Sequence, residues 1–219
     1  MSDARSLAAD RAHALRLVPV SHETVVRLDQ FVELFLRWQR AVQLVAASTV
    51  PKLWTRHIAD SLQIVDLAPG AKSWVDLGSG GGFPGLIVAI AIAERAGALV
   101  HLVESDTRKA AFLREAARVT RAPAKVHANR VESVAKQIGA VDVVMARALA
   151  PLPRIMELSQ PFLASGAVGI FLKGQDVDNE LTEAAKSWKI QVRLLPSRTD
   201  PRGKILVVES AVQRPLTPR

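Results

Sequence analysis

Residues 75–85 read VDLGSGGGFPG: a strand-like apolar stretch, five glycines within eight positions, and then the apolar run LIVAIAIA. Glycine accepts positive φ and lets a ligand come close to the main chain. A helix starting at Pro84 would leave the N–H groups of its first turn unpaired. Together these features describe a loop that binds a nucleotide-like ligand. A plain glycine turn is the weaker reading, because ordering five glycines costs much backbone entropy. Gly80 to Gly85 formally match G-x-G-x-x-G, which leaves a dinucleotide open. No G-K-[ST] follows, so a Walker phosphate loop is excluded. Asp76, just before the first glycine, argues for S-adenosylmethionine. A carboxylate there repels a pyrophosphate but suits a cationic amino-acid end, directly or through water. Ser79 and Gly80 are loop contacts on this reading.

Glu104 ends the next apolar run. An acid about 20 residues beyond a glycine loop, at a strand tip, can accept both ribose hydroxyls. This supports an adenosine ligand without choosing between the two candidates; the plain alternative is a favourable charge before the helix that starts at Thr107. Val131 and Glu132 follow the third strand-like run, where a backbone N–H could read a base edge, although Glu132 also suits a helix's first turn. Arg147 ends the fourth run, at the crevice edge where ligands bind in such sheets. His57 reads as a helix-packing histidine.

The chain has 29 Lys and Arg against 21 Asp and Glu, a net charge of +8, which favours a polyanion such as nucleic acid. Residues 108–130 hold seven basic side chains (Arg108, Lys109, Arg114, Arg118, Arg121, Lys125, Arg130) against the single acid Glu115. Arg114, Arg118 and Arg121 share one helix face, either a phosphate-contact stripe or a solvated surface. Arg198, Arg202 and Lys204 form a second candidate cluster. No His, Asp or Glu group has metal spacing, and with no Tyr in the chain base stacking falls to Phe83, a Trp or an Arg.

These residues need elements to hold them. Residues 1–20 carry no strong pattern and are expected to be flexible. Helical periodicity begins at Ser21, a ready N-cap, and a second helix is expected from Pro51 to the Pro69-Gly70 stop. Together, residues 21–70 form a helical extension. From 71 to 219 short apolar runs alternate with helical stretches, predicting strands at 73–77, 99–104, 125–128, 141–146, 167–172, 191–195 and 205–209. Helices are predicted at 84–95, 107–121, 131–138, 152–163 and 177–188. Alternating elements imply an α/β fold with a mostly parallel sheet. The last gap is too short for a crossover, so one of the seven strands should run antiparallel.

There are no cysteines, so disulfides and cysteine-ligated metals are excluded. No apolar run approaches the roughly 20 residues of a membrane span. The N-terminus lacks a basic-then-apolar signal, which makes the cytoplasm the expected compartment. A monomer is the working expectation.

The runs DLGSGGGFPG, LVES with DTRKAAFLREAAR, MARALAPL and LKG together resemble the small-subunit (16S) ribosomal RNA guanine-N7 methyltransferase G family, also called the glucose-inhibited division protein B family. FLRWQRAVQLVAAS and LWTRHIADSLQI resemble its leading helices, and the likeness spans about residues 25 to 210. The resemblance implies a class I, Rossmann-like methyltransferase fold and methyl transfer from S-adenosylmethionine to N7 of a guanine in 16S rRNA or the small subunit. By motif position it implies cofactor contacts at Gly78, Phe83, Val131, Glu132 and Arg147. Arg147 and Lys173 are the candidates for positioning; N7 carries a lone pair and no proton, so no catalytic base is expected. Gln39, Gln43 and Val45 depart from the family's usual Asn, Asn and Thr. The competing functions are a small-molecule or protein methyltransferase and a non-catalytic regulator that binds S-adenosylmethionine or a nucleotide.

Overall fold

The computed structural model describes residues 2–215. Seven strands form one sheet in the order β3-β2-β1-β4-β5-β7-β6. They are β1 (Ser73–Leu77), β2 (Leu99–Val103), β3 (Ala124–His127), β4 (Val143–Arg147), β5 (Val168–Lys173), β6 (Trp188–Pro196) and β7 (Lys204–Gln213). β1 to β5 pair in parallel, and β7 runs antiparallel to both β5 and β6. The sequence expectation of one reversed strand holds, because Pro196 pairs with Lys204 across a connection that only a hairpin can make. The strand order changes direction between β1 and β4, which opens a crevice at their carboxyl ends.

Strand alternation divides the interior in two. Trp74, Leu102, Met145, Ile170 and Leu172 face one side of the sheet and join the core made with α2 (His22–Gln39), α4 (Gly85–Ala91) and α5 (Thr107–Thr120). Val75, Leu77, Val144, Ala146 and Phe171 face the other side, under α6 (Val131–Ile138), α7 (Leu152–Leu163) and α8 (Val177–Ser187). α2 earns its place by periodicity: Leu28, Phe31, Val32 and Phe35 are buried, and Ser21 caps it by accepting the Thr24 N–H at 3.2 Å.

Two expectations for the extension are corrected. Residues 2–17, expected to carry no ordered element, form the helix α1 (Ser2–Leu17), packed with Ala14 buried, while Met1 lies outside the described residues. The Asp10 carboxylate accepts the main-chain N–H groups of Trp54 and Thr55 at 2.8 and 3.1 Å, and the Arg11 guanidinium lies over the Trp54 ring. One acid thus caps helical N–H groups far along the chain, a pairing that no local pattern can show. The single helix expected from Pro51 is instead a chain of short turns: a 3₁₀ turn (Ala47–Lys52), a π turn (Trp54–Ala59), α3 (Asp60–Leu62) and a second 3₁₀ turn (Val65–Leu67). The wider π turn accompanies burial of Trp54, His57, Ile58 and Ala59 together, more faces than one amphipathic stripe provides. α4 is also shorter than expected, since Pro84 precedes it and it ends at Ala91. No helix among the described residues is long and apolar enough to cross a membrane.

Between β2 and the edge strand β3, His101 Nδ1 lies 2.9 Å from His127 Nε2, the rings stacked. Burial, then the neighbouring His127 and Lys125 charges, push His101 down to about 4 from its ordinary 6.5. The unfolded chain therefore takes up protons first, and the pair's contribution to stability, complete above about pH 6.5, is lost as pH falls toward about 4. His101→Gln should flatten the fall in melting temperature across that window relative to the unsubstituted protein; parallel curves would remove the pair from the pH response.

Candidate active site

A cleft of about 1380 Å³ opens over the carboxyl ends of the strands. Its floor is the β1–α4 loop. Gly78 and Ser79 each donate a main-chain N–H to the Val103 carbonyl at 2.9 Å, which locks the loop to the tip of β2. Gly80 donates to Glu104 Oε2 at 2.8 Å, while Glu104 Oε1 accepts from Asp106 N at 2.7 Å. Glu104 is buried, so these bonds aim a carboxylate with lone pairs to spare into the cleft.

The glycines serve close approach. A Cβ on Gly78, whose φ is +74°, would lie 2.5 Å from the Leu149 side chain. A Cβ on Gly85 would lie 2.4 Å from Asp76 Oδ2, so only glycine lets α4 start against that strand. Gly81 lies under the Leu44 carbonyl, which ties the loop to the extension. Gln39 steadies that contact by accepting from Leu44 N and Val45 N at 2.9 and 3.1 Å and donating to Val45 O at 2.8 Å. Of the three departures, Gln39 is thus a loop clamp, Gln43 is exposed, and Val45 lines the cleft.

Asp76 is where the geometry departs from the sequence reading. Alternation puts it on the same face as Trp74, fully buried beneath the loop and outside the cleft lining. Oδ2 accepts from Gly85 N at 3.0 Å, and Oδ1 has no hydrogen-bond partner. Burial pushes this carboxyl up to about 7, against the nearby Ser79 hydroxyl, the Gly85 bond and the charge of Arg147. Asp76 therefore presents no atom to the cleft, in contrast to the direct contact the sequence reading allowed.

Arg147 and Lys173 both end strands, and alternation sends them to opposite faces. Arg147 turns toward the extension. It donates to the Arg56 carbonyl at 2.9 Å and to Asp60 Oδ2 at 3.0 Å, contacts His57 Nδ1, and lies 5.4 Å from the Phe83 ring centre. Because a guanidinium only donates, His57 Nδ1 must accept, and Nε2–H then donates to Thr49 Oγ1 at 2.9 Å. Burial, with the Arg147 and Arg56 charges, pushes His57 down to about 3, so the ring stays neutral. Lys173 turns the other way, to Glu180 Oε2 at 2.6 Å and the Ala150 carbonyl at 3.1 Å, and so holds the loop after β4, where Ala148 has a φ of +52°.

Of the other expected residues, Gly78, Ser79, Gly80, Phe83, Val131 and Glu132 all line the cleft; Val131 is buried, and Glu132 is exposed and ion-paired with Arg154. Lys109, Arg202 and Lys204 line it too, whereas Arg108 borders a neighbouring depression. Arg114, Arg118 and Arg121 are exposed and line neither. Arg198 pairs with Asp66 at 3.3 Å. Sequence reasoning missed Asp60, which also accepts from Thr199 Oγ1 at 2.8 Å and so joins the extension to the β6–β7 turn. The available signal was an acid three positions beyond His57, between the apolar residues Ile58, Ala59 and Leu62.

A family model described as rRNA small subunit methyltransferase G matches residues 25–200. The Ribosomal RNA small subunit methyltransferase G of Bradyrhizobium sp. strain BTAi1 is 58% identical over 204 residues, covering 93% of this chain and 92% of its own. The protein of that name from Methylobacterium nodulans is 50% identical, with 93% and 96% covered. Among solved structures, an O-methyltransferase from Bacillus cereus in complex with SAH superposes with a TM-score of 0.62 at 16% identity, covering 92% of this chain and 97% of that one. A putative O-methyltransferase from Klebsiella pneumoniae gives 0.59 at 15% identity, with 96% and 100% covered. These two likenesses bear on the fold, which is that of the class I methyltransferases.

Gly85→Ala should lower the melting temperature, at a cost of about 1–3 kcal/mol for forcing a methyl group into a packed contact; an unchanged transition would show that the Asp76–Gly85 contact is not tight.

Proposed function

The chain belongs to the rRNA small subunit methyltransferase G family, and on that premise we propose that it uses S-adenosylmethionine to methylate N7 of a guanine in 16S rRNA. The observation that carries the reading is the glycine loop pinned to the β2 tip, with Glu104 anchored at its side and Asp76 buried beneath it.

The residues present fit the cofactor. Asp76 Oδ1 is an orphaned buried acceptor under the loop, and a cation on the cleft floor would stabilise its ionised form. Glu104 supplies acceptors for a diol, and Val131 and Phe83 supply apolar walls. Ser79, Gly80 and Glu132 border the same space. When bound, S-adenosylmethionine supplies a methyl group on a cationic sulfur, which a lone pair displaces directly.

A guanine N7 has no proton to remove, so the residues here need only orient and desolvate. Orientation of this kind lowers barriers by several kcal/mol, about 7–11 at its upper limit. The methylated purine gains positive charge, and uncompensated cations beside it would oppose the reaction. Both strand-end cations are compensated: Arg147 by Asp60 and Lys173 by Glu180. They act as positioning residues, Arg147 fixing the 54–60 turn and Lys173 the loop after β4. The cytoplasm is the compartment this substrate requires.

Incubating the protein and labelled S-adenosylmethionine with small subunits or naked 16S rRNA should yield 7-methylguanosine on nucleoside analysis; label confined to protein or free metabolites would end the RNA reading. Glu104→Ala should weaken S-adenosylmethionine by about 1–3 kcal/mol, seen as a smaller ligand-induced rise in melting temperature, while NAD raises it in neither protein. Equal shifts in the two proteins would take Glu104 out of the site.

A further inference from the structure

We infer that the rRNA backbone is gripped by a rim of Lys52, Arg56, Arg202 and Lys204, where the extension faces the β6–β7 turn, and not by the basic stripe along α5. This rests on the proposed reading and adds to it the surface that receives the substrate.

The first argument is the polarity of the cleft. Glu104 and Val131 stand at the tips of β2 and β3, so the nucleoside end of the cofactor belongs on that side. The reactive end then lies toward β1, β4 and β5, and the target base must enter there. The walls on that side are the 54–60 turn and the β6–β7 turn, joined through Asp60 and Thr199. All four rim cations line the cleft, Arg56 on the 54–60 turn, Lys52 just before it, and Arg202 and Lys204 on or beside the β6–β7 turn.

The second argument is charge compensation. Among the described residues Lys52, Arg56 and Lys204 make no ion pair, and Arg202 meets only Asp200 on its own turn, at 3.5 Å. Elsewhere along the cleft Arg154 pairs with Glu132 and Glu157 and Lys173 pairs with Glu180, while Lys109 and Arg130, which make no ion pair among the described residues, lie by the tips of β2 and β3 on the nucleoside side. The Asp200 carboxyl is held below its ordinary value by the Arg202 N–H first, with the Arg56 guanidinium among the further causes. Unpaired cations at a mouth, above a compensated floor, suit a chain of phosphates that must bring one base inward.

The α5 stripe lacks this placement. At about 1.5 Å per residue, Arg118 lies about 15 Å along the helix from Arg108. α5 packs beside α2 on the nucleoside side of the sheet, and a polyanion held there would deliver its bases to the wrong end of the cleft.

The test compares two charge-reversed pairs in methylation of small subunits, Lys52→Glu/Lys204→Glu and Arg114→Glu/Arg118→Glu. The rim pair should raise the KM for RNA by about tenfold or more and reduce the log–log salt slope by about 1.4, at about 0.7 per single-stranded phosphate. Its S-adenosylmethionine-induced melting shift should match the unsubstituted protein. The α5 pair should change KM less than about threefold. If the reversed rim pair does not fold, Lys52→Gln/Lys204→Gln should move KM and slope the same way. A larger loss in the α5 pair, or rim variants that methylate normally, overturns the rim while the proposed function survives. Unsubstituted protein that binds S-adenosylmethionine yet leaves rRNA unmethylated overturns both.

Discussion

A guanidinium at the end of a buried parallel strand cannot be left without partners. Removing an ion from water costs several kcal/mol, and only a counter-charge and well-made hydrogen bonds offset it. Arg147 finds these in Asp60, the Arg56 carbonyl and His57, all on the short turns before the sheet. The extension is therefore bound to the sheet by an electrostatic requirement as well as an apolar one. Asp60 reaches on to Thr199, which brings the β6–β7 turn under the same constraint. One largely buried cation thus ties together three segments that are far apart in sequence.

The glycine loop answers a different constraint. Its positions are crowded by the protein itself: Leu149 over Gly78, Leu44 over Gly81, Asp76 against Gly85. Each neighbour comes from a different part of the chain. The loop is a junction where the first strand, the loop after β4 and the extension meet, and its conformation is held by all three. A ligand lying on it would meet a surface already shaped by packing.

The charges are sorted by depth. Acids and cations near the cleft floor are paired or hydrogen-bonded, which suits a neutral acceptor becoming a cation. Asp76 is the exception, a carboxyl raised to about 7 by burial with one oxygen unpartnered. Cations without an ion pair among the described residues, Lys52, Arg56, Lys109, Arg130 and Lys204, also line the cleft. The net charge of +8 does not describe this sorting.

Local pattern was enough to place the sheet's seven strands, though β6 and β7 run to nine and ten residues where five each were expected, and it was enough for the reversed last hairpin and for the strand–glycine–helix core at residues 75–85. Each depends on alternation, periodicity or loop length, which neighbours in sequence control. The helix capped by Ser21 was legible for the same reason. What only the tertiary structure decided was direction and partnership. Asp76 turned under the loop, and Arg147 and Lys173 turned to opposite faces, because strand parity and the packed layers fix where a side chain points. α1 was expected to be loose and is docked, because its Asp10 meets helical N–H groups more than forty residues away. Sequence reports which residues can do chemistry; burial and long-range pairing determine which of them reach the cleft.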